Sequence, residues 1–287
     1  MPLGWTFNMS SPIDLLANLP FEWAGYEFMR NALVAVVLVS PLFAIMGTLV
    51  VNNRMAFFSD AIGHASLTGL GLGVLLGLAD PLFALVGFSM VLGIGILVLH
   101  RLTRSSMDTI ISLCMSFSIA LGVVLLSRGG NFNRFSRYLI GDLLSITPLE
   151  IAWLFVTLVV VGGGLLLFYN RILLIGINDS LARSRGLNTW WIQVVFVAAI
   201  VMVVTMNLSW VGILIINSLL ILPAAAARNL AGNTRQYVLF AVVIALVSGV
   251  CGLLVSYYSD TASGATIVLV AMGFYFITLA VKALRNQ

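Results

Sequence analysis

The feature that most constrains this chain is a succession of apolar runs, each about 20 residues long and almost free of charge, which is the length that crosses a bilayer as a helix. The runs lie at 31–51, 58–78, 81–101, 109–127, 150–169, 190–208, 211–229, 236–256 and 263–283. Only 8% of the 287 residues are charged, whereas a soluble domain carries about 25%. The sequence therefore predicts an all-α polytopic membrane protein with about nine transmembrane helices. It excludes a soluble enzyme, a disordered chain and a nucleic-acid-binding module.

The distribution of basic residues predicts the orientation of these helices. One alternating set of connections carries ten Lys and Arg residues and the opposite set carries four. Cytoplasmic loops are the ones enriched in Lys and Arg. We therefore expect one transmembrane domain over 1–287, with the N-terminus outside and the C-terminus in the cytoplasm. Residues 1–30 contain no basic residue before Arg30, unlike a signal peptide, and they suit an interfacial segment on the outer side.

Two connections are longer than a turn. The outer one, 128–149, contains Tyr138–Leu144, which indicates a short helix at the mouth; Asp142 there could attract cations or simply be solvated. In the cytoplasmic one, 170–189, Asn178 or Asp179 can cap a helix and Gly186 can end it. Such a helix would be a docking element, although an ordinary connecting loop explains the composition equally well.

The chain lacks the residues for ATP hydrolysis or acid–base catalysis. Its one lysine is Lys282, so the phosphate-binding sequence Gly-x-x-x-x-Gly-Lys-Ser/Thr cannot occur. The two histidines, His64 and His100, offer no evident partner for a nucleophile. We expect no enzymatic activity and no permanently bound cofactor. If ATP drives transport, a separate subunit must hydrolyse it.

The second apolar run contains a carboxylate and an imidazole on one face. Asp60 and His64 are four residues apart, so they share a helix face, and Thr68 continues it. If the helix began at Arg54, they would lie about 9 and 15 Å deeper than that residue. A carboxylate at the bilayer centre costs roughly 2.5–3.5 kcal/mol on insertion scales, so such residues mark a cavity, a partner or an ion.

Three interpretations of this pair remain open. Carboxylate oxygen and imidazole nitrogen are ligands for zinc and manganese, and two copies across a two-fold axis would supply four ligands. A hydrogen-bonded Asp–His lock between helices and a proton relay are the alternatives. Asn217 and Ser218, near the helix-disrupting Pro223, are candidate pathway or gate residues, or simple interhelical hydrogen-bonding groups.

Four segments resemble the permease subunit of metal-ion ABC importers of the type II fold, and most closely the zinc-uptake permeases of Gram-negative bacteria. They are Arg54–Ala65 with Asp60 and His64, Tyr138–Leu144, Leu219–Arg228, and Asp260–Gly264. The resemblance implies a multi-pass homodimer in the bacterial inner membrane, with two ATP-binding subunits and a periplasmic metal-binding protein as partners. It implies zinc as the substrate, ATP consumption by the partner subunits, and a pathway lined by the Asp60–His64 face.

The resemblance also implies that 170–189 is a coupling segment. The residues expected to contact the ATPase are Asp179, Leu181, Ala182, Arg183 and Gly186. Manganese and iron permeases of the same family are the alternative substrate assignments. A proton-coupled secondary transporter is a further alternative; no second Asp-x-x-x-His segment, which an internal repeat would bring, is evident in the sequence.

Overall fold

A computed structural model describes residues 20–78, 82–103, 105–128, 141 and 143–285. Within these residues every regular element is helical. The helices are α1 (Glu27–Asn52), α2 (Phe58–Leu75), α3 (Leu82–Leu102), α4 (Met107–Arg128), α5 (Pro148–Ile177), α6 (Asp179–Ser184), α7 (Thr189–Leu230), α8 (Thr234–Tyr258) and α9 (Ser263–Arg285). Short 3-10 helices occupy Glu22–Gly25 and Leu143–Ser145. The predicted all-helical class is confirmed.

Eight helical segments of the described chain are long and apolar enough to cross a membrane. They include α7 as two segments, Thr189–Leu208 and Trp210–Leu230, called here its first and second halves. These eight correspond to eight of the predicted runs, and α2 corresponds to the ninth. Helix α2 is not among the eight; it has 18 residues and contains Asp60 and His64. The predicted orientation stays a prediction.

Helix α5 is longer than its predicted span. It continues to Ile177 rather than ending at residue 169, and it contains one π turn at Leu158–Gly162. The guanidinium of Arg171 lies 5.5 Å from the ring centre of Phe168 on the same helix. The helix therefore includes the first part of the predicted connection 170–189.

The sequence predicted two separate spans, 190–208 and 211–229, and a kink at Pro223. The structure has one long helix, α7, with non-helical backbone near the start of the second predicted span, at Gly212, with φ 78° and ψ 157°. Only glycine adopts such angles readily, because it has no Cβ. The second half of α7 continues through Pro223 as helix. The break at Gly212 therefore lies near the start of the second half and separates residues 213–230 from the rest of α7.

Helix α7 lies at the centre of the bundle, in contact with α1, α2, α3, α8 and α9. Its contact with α1 is backbone-close, because a Cβ at Gly47 would overlap the Leu220 carbonyl. Helix α2 packs between α3, α4 and α7. A Cβ at Gly69 would lie 2.5 Å from the Ala84 carbonyl oxygen of α3. Small residues thus hold the polar helix α2 inside the bundle, as small-residue stripes do in membrane proteins.

Candidate functional site

The turn before α2 determines where the charged pair lies. Arg54 adopts a left-handed conformation, with φ 56°, and the amide of Met55 donates to the Val50 carbonyl at 3.0 Å. Helix α2 begins only at Phe58. The expected depths of 9 and 15 Å below Arg54 assumed continuous helix from that residue, whereas residues 54–57 are not part of α2. Asp60 lies in the first turn of α2, and His64 lies one turn further on.

Asp60 and His64 lie on the same side of α2, as the four-residue spacing predicts. The His64 Nε2 atom is 3.8 Å from Asp60 Oδ1, and the two side chains are 25% and 30% exposed. This separation exceeds the range of a hydrogen bond. The pair is half-buried and is not joined by a direct hydrogen bond. An oxygen of Asp60 and a nitrogen of His64 can therefore bind a further group.

Asn217 in the second half of α7 reaches the same carboxylate. Its Nδ2 donates to Asp60 Oδ1 at 2.7 Å. The approach is close because a Cβ at Gly63, between the two charged residues, would lie 2.9 Å from Ile213 Cγ1. The neighbouring Ser218 is half-buried, and its hydroxyl donates to the Leu214 carbonyl of its own helix at 2.7 Å. The structure thus brings Asn217, but not the Ser218 hydroxyl, into contact with the pair.

Two other candidate pathway residues have different positions. Thr68 is fully buried, and its hydroxyl donates to the Ser118 carbonyl of α4 at 2.7 Å. It therefore joins α2 to α4. Asp142 lies outside the described residues, as does most of Tyr138–Leu144. Next to it, Gly141 has φ 76°, and a Cβ there would overlap the Val211 carbonyl beside the break in α7.

The predicted short cytoplasmic helix is present as α6. The Asn178 side chain accepts a hydrogen bond from the Leu181 amide at 3.0 Å, which is an N-terminal cap. At the other end Gly186 has φ 75°, and its amide donates to the Arg183 carbonyl at 2.9 Å. The Leu187 amide donates to the Ala182 carbonyl at 3.2 Å. These two bonds form the helix ending in which a left-handed glycine follows the last turn.

The expected coupling residues face in different directions on α6. Ala182 is fully buried, so it packs the short helix against the protein. Leu181 is 42% exposed and is the apolar side chain that a partner can contact. Asp179 and Arg183 form an ion pair at 2.6 Å, with side chains 40% and 60% exposed. Such an exposed pair contributes about 1 kcal/mol or less.

A cavity of about 360 Å³ lies between α3, α6 and the start of α7. His100 and Arg101 from the last turn of α3 line it, together with Asp179, Arg183 and Gln193. Arg101 lies 4.4 Å from the ring centre of Trp190 and donates to the Gln193 side chain at 3.3 Å. Sequence reasoning placed His100 and Arg101 at a helix end but missed this cavity, because its walls are distant in sequence.

The bundle of long apolar helices defines a class: a multi-pass membrane protein. Its sequence matches the ABC 3 transport family over residues 25–282. The chain belongs to that family and is a metal ABC permease. Permease subunits of this kind are not themselves enzymes, and a location in the bacterial inner membrane fits the family and the apolar helices.

Two relatives illustrate the family. The chain is 29% identical over 255 residues to the high-affinity zinc uptake system membrane protein ZnuB of Haemophilus influenzae, covering 88% of this chain and 97% of that one. It is also 29% identical over 253 residues to the manganese transport system membrane protein MntC of Listeria monocytogenes, covering 88% and 90%.

Among solved structures, PsaBC from Streptococcus pneumoniae in complex with Fab has a similar fold. The TM-score is 0.76 at 24% identity, covering 88% of this chain and 91% of that chain. The expected type of fold is therefore confirmed. Membership of an ABC permease family implies that an ATPase and a binding protein act with this chain.

Proposed function

We propose that this chain is the permease subunit of an importer that conducts zinc into the cytoplasm, using ATP hydrolysed by a separate subunit. The observation that carries the proposal is the Asp60–His64 pair, half-buried in a helix that small residues hold inside the bundle. Ionisable side chains are expensive inside a membrane, and they persist where they serve an ion or a substrate. The relative ZnuB, named for zinc uptake, supports the choice of ion.

One chain supplies only half of the ligands that a tetrahedral zinc site uses. Among the described residues no group of three or more His, Cys, Asp and Glu side chains could hold a metal ion. Two copies of the chain around a two-fold axis would bring two carboxylates and two imidazoles together. Zinc accepts such a mixed oxygen and nitrogen set. The proposed importer is therefore a homodimer of this chain, with the ion passing along the shared face.

A manganese importer is the second candidate, favoured by the equal identity to MntC. Manganese also accepts carboxylate and imidazole ligands. The imidazole of His64 favours zinc, because nitrogen ligands suit zinc better than they suit manganese, which prefers oxygen. The two candidates differ in which ion the assembled importer accumulates from an equimolar mixture.

The proposed partners are two ATP-binding subunits on the cytoplasmic side and a periplasmic metal-binding protein on the outer side. The capped helix α6, with Leu181 exposed and Ala182 anchoring it, is the proposed contact with the ATPase. The chain itself holds no permanent cofactor in this proposal. Zinc is its substrate, and ATP is consumed by the partner.

The experiment is cellular Zn²⁺ uptake by the complete importer carrying Asp60→Ala or His64→Ala. Both variants should reduce uptake to the level of cells without the importer, while the amount of assembled complex is unchanged. Asp108→Ala is the matched control, because Asp108 is an exposed carboxylate in the first turn of α4. Normal uptake by both pair variants would contradict the proposal.

A further inference from the structure

The hydrogen bond between Asn217 and Asp60 links the candidate ion site to a different part of the fold. The two residues are 157 positions apart, and the Nδ2–Oδ1 distance is 2.7 Å. The same Asp60 oxygen lies 3.8 Å from His64 Nε2. This carboxylate oxygen therefore accepts a hydrogen bond from the amide of α7 and lies near the imidazole of α2 without bonding to it. The amide restrains the direction in which the carboxylate points.

Within the described part of the chain, only one of the two polar groups of the Asn217 side chain forms a hydrogen bond. Its Oδ1 is buried and has no hydrogen-bond partner among the described residues. Buried polar atoms are normally paired, because an unpaired one loses its bond to water without a replacement. An amide that served only packing would pair both ends or be replaced by an apolar residue of similar size. The Asn217 side chain instead donates to the Asp60 carboxylate, while its own oxygen has no hydrogen-bond partner within these residues.

The part of α7 that carries Asn217 is separated from the rest of the helix. Gly212, with its non-helical backbone, lies five residues before Asn217. Gly141 of the outer connection packs against the Val211 carbonyl at this break. The position of the second half of α7 relative to α2 therefore depends on the break and on the outer segment that touches it.

We infer that Asn217 is a positioning residue for the transported ion, and this inference rests on the proposed function. Its amide holds the Asp60 carboxylate toward His64, so that the ion affinity of the pair depends on where the second half of α7 lies. When the second half of α7 moves relative to α2, the hydrogen bond is lost and the carboxylate is free to turn. The pair then binds the ion more weakly and releases it, as conduction through a site requires.

The test is Zn²⁺ binding to the purified permease–ATPase complex, measured by competition with a chromogenic chelator in the absence of the binding protein. Asn217→Leu removes the donor at similar volume and should weaken binding about tenfold, the order expected when a hydrogen bond to a charged group is lost. Asn217→Ala also removes the donor and should weaken binding to a similar extent. The melting temperature of each variant measures structural damage separately, and an amide that only stabilises the fold would change that temperature without changing the Zn²⁺ affinity.

The control is Asn207→Leu in the first half of α7. The Asn207 side chain is buried and donates to the Val203 carbonyl of its own helix, so its loss should leave Zn²⁺ affinity unchanged. Unchanged affinity in both Asn217 variants would overturn the inference. If Asp60→Ala and His64→Ala also bind Zn²⁺ normally, or if the unmutated complex binds none, the proposed site itself is wrong.

Discussion

Two interactions reduce the free-energy cost of placing the Asp60 carboxylate inside a bundle of apolar helices. It lies in the first turn of α2, where the partial positive charge of the helix N-terminus stabilises a carboxylate. The Asn217 amide supplies a hydrogen bond at 2.7 Å. Both interactions offset part of the cost of burying a carboxylate among apolar helices.

Gly212 is the residue whose replacement tests the break in α7. Gly212→Ala places a Cβ on a backbone with φ 78° and should lower the free energy of unfolding by roughly 1–3 kcal/mol. Thermal unfolding of the purified complex measures this. Gly164→Ala is the matched control, because Gly164 is helical with open space around it, and it should be neutral or stabilising by up to about 1 kcal/mol. Equal melting temperatures for the two variants would argue against the break.

The sequence predicts relations between residues that are close together in the chain. The spacing of Asp60 and His64 predicted a shared face, and the cap at Asn178 and the ending at Gly186 were readable from residue type, because these are local relations. The contacts of Asn217 with Asp60 and of Thr68 with Ser118 join positions far apart in sequence. No local pattern specifies them, so the roles of Asn217 and Thr68 could not be separated beforehand.

At the scale of helices, the contact between α1 and α7 sets the spacing of the central pair. A Cβ at Gly47 would overlap the Leu220 carbonyl, so Gly47→Ala forces the two backbones apart. We expect a loss of about 1–3 kcal/mol in stability, the usual effect of overpacking. Differential scanning calorimetry of the purified complex measures the change. Gly87→Ala in α3 meets no atom within 4 Å and should unfold at the unmutated temperature; an equal loss in both variants would contradict the close contact.

The short helix α6 is the element proposed to contact the ATPase and to couple ATP hydrolysis to transport. Leu181→Asp replaces its exposed apolar side chain with a charge that would be desolvated in a docked interface. Uptake should fall severalfold per ATP hydrolysed while the chain still inserts, measured as the ratio of transported Zn²⁺ to released phosphate. Leu181→Met keeps the apolar contact and should retain coupling. An unchanged ratio in Leu181→Asp would remove α6 from the proposed interface.

Some features of the helices follow from hydropathy, and others depend on how the helices pack. Length and apolar composition located eight of the spans, because the bilayer imposes both. The end of α5 and the break in α7 depended on how Arg171 and Gly212 fit their surroundings. Pro223 looked like the stronger helix breaker in sequence, yet the non-helical dihedral lies at Gly212.

At the scale of the whole molecule, the proposed permease depends on partner proteins that hydrolyse ATP and deliver the metal ion. Its one lysine is in α9, and the phosphate-binding sequence of an ATPase is absent. Family membership implies an ATPase and a binding protein. The described bundle contains the half-buried Asp60–His64 pair, the break in α7 and the short helix α6 with Leu181 exposed.

The most direct test of this account is ATP-dependent accumulation of Zn²⁺ in proteoliposomes that contain the chain with its ATPase, with ATP sealed inside and the loaded binding protein outside. The account predicts accumulation that requires ATP, is lost in His64→Ala, and persists in Asp108→Ala. Accumulation driven by a proton gradient without ATP, or at the unmutated rate in His64→Ala, would contradict it.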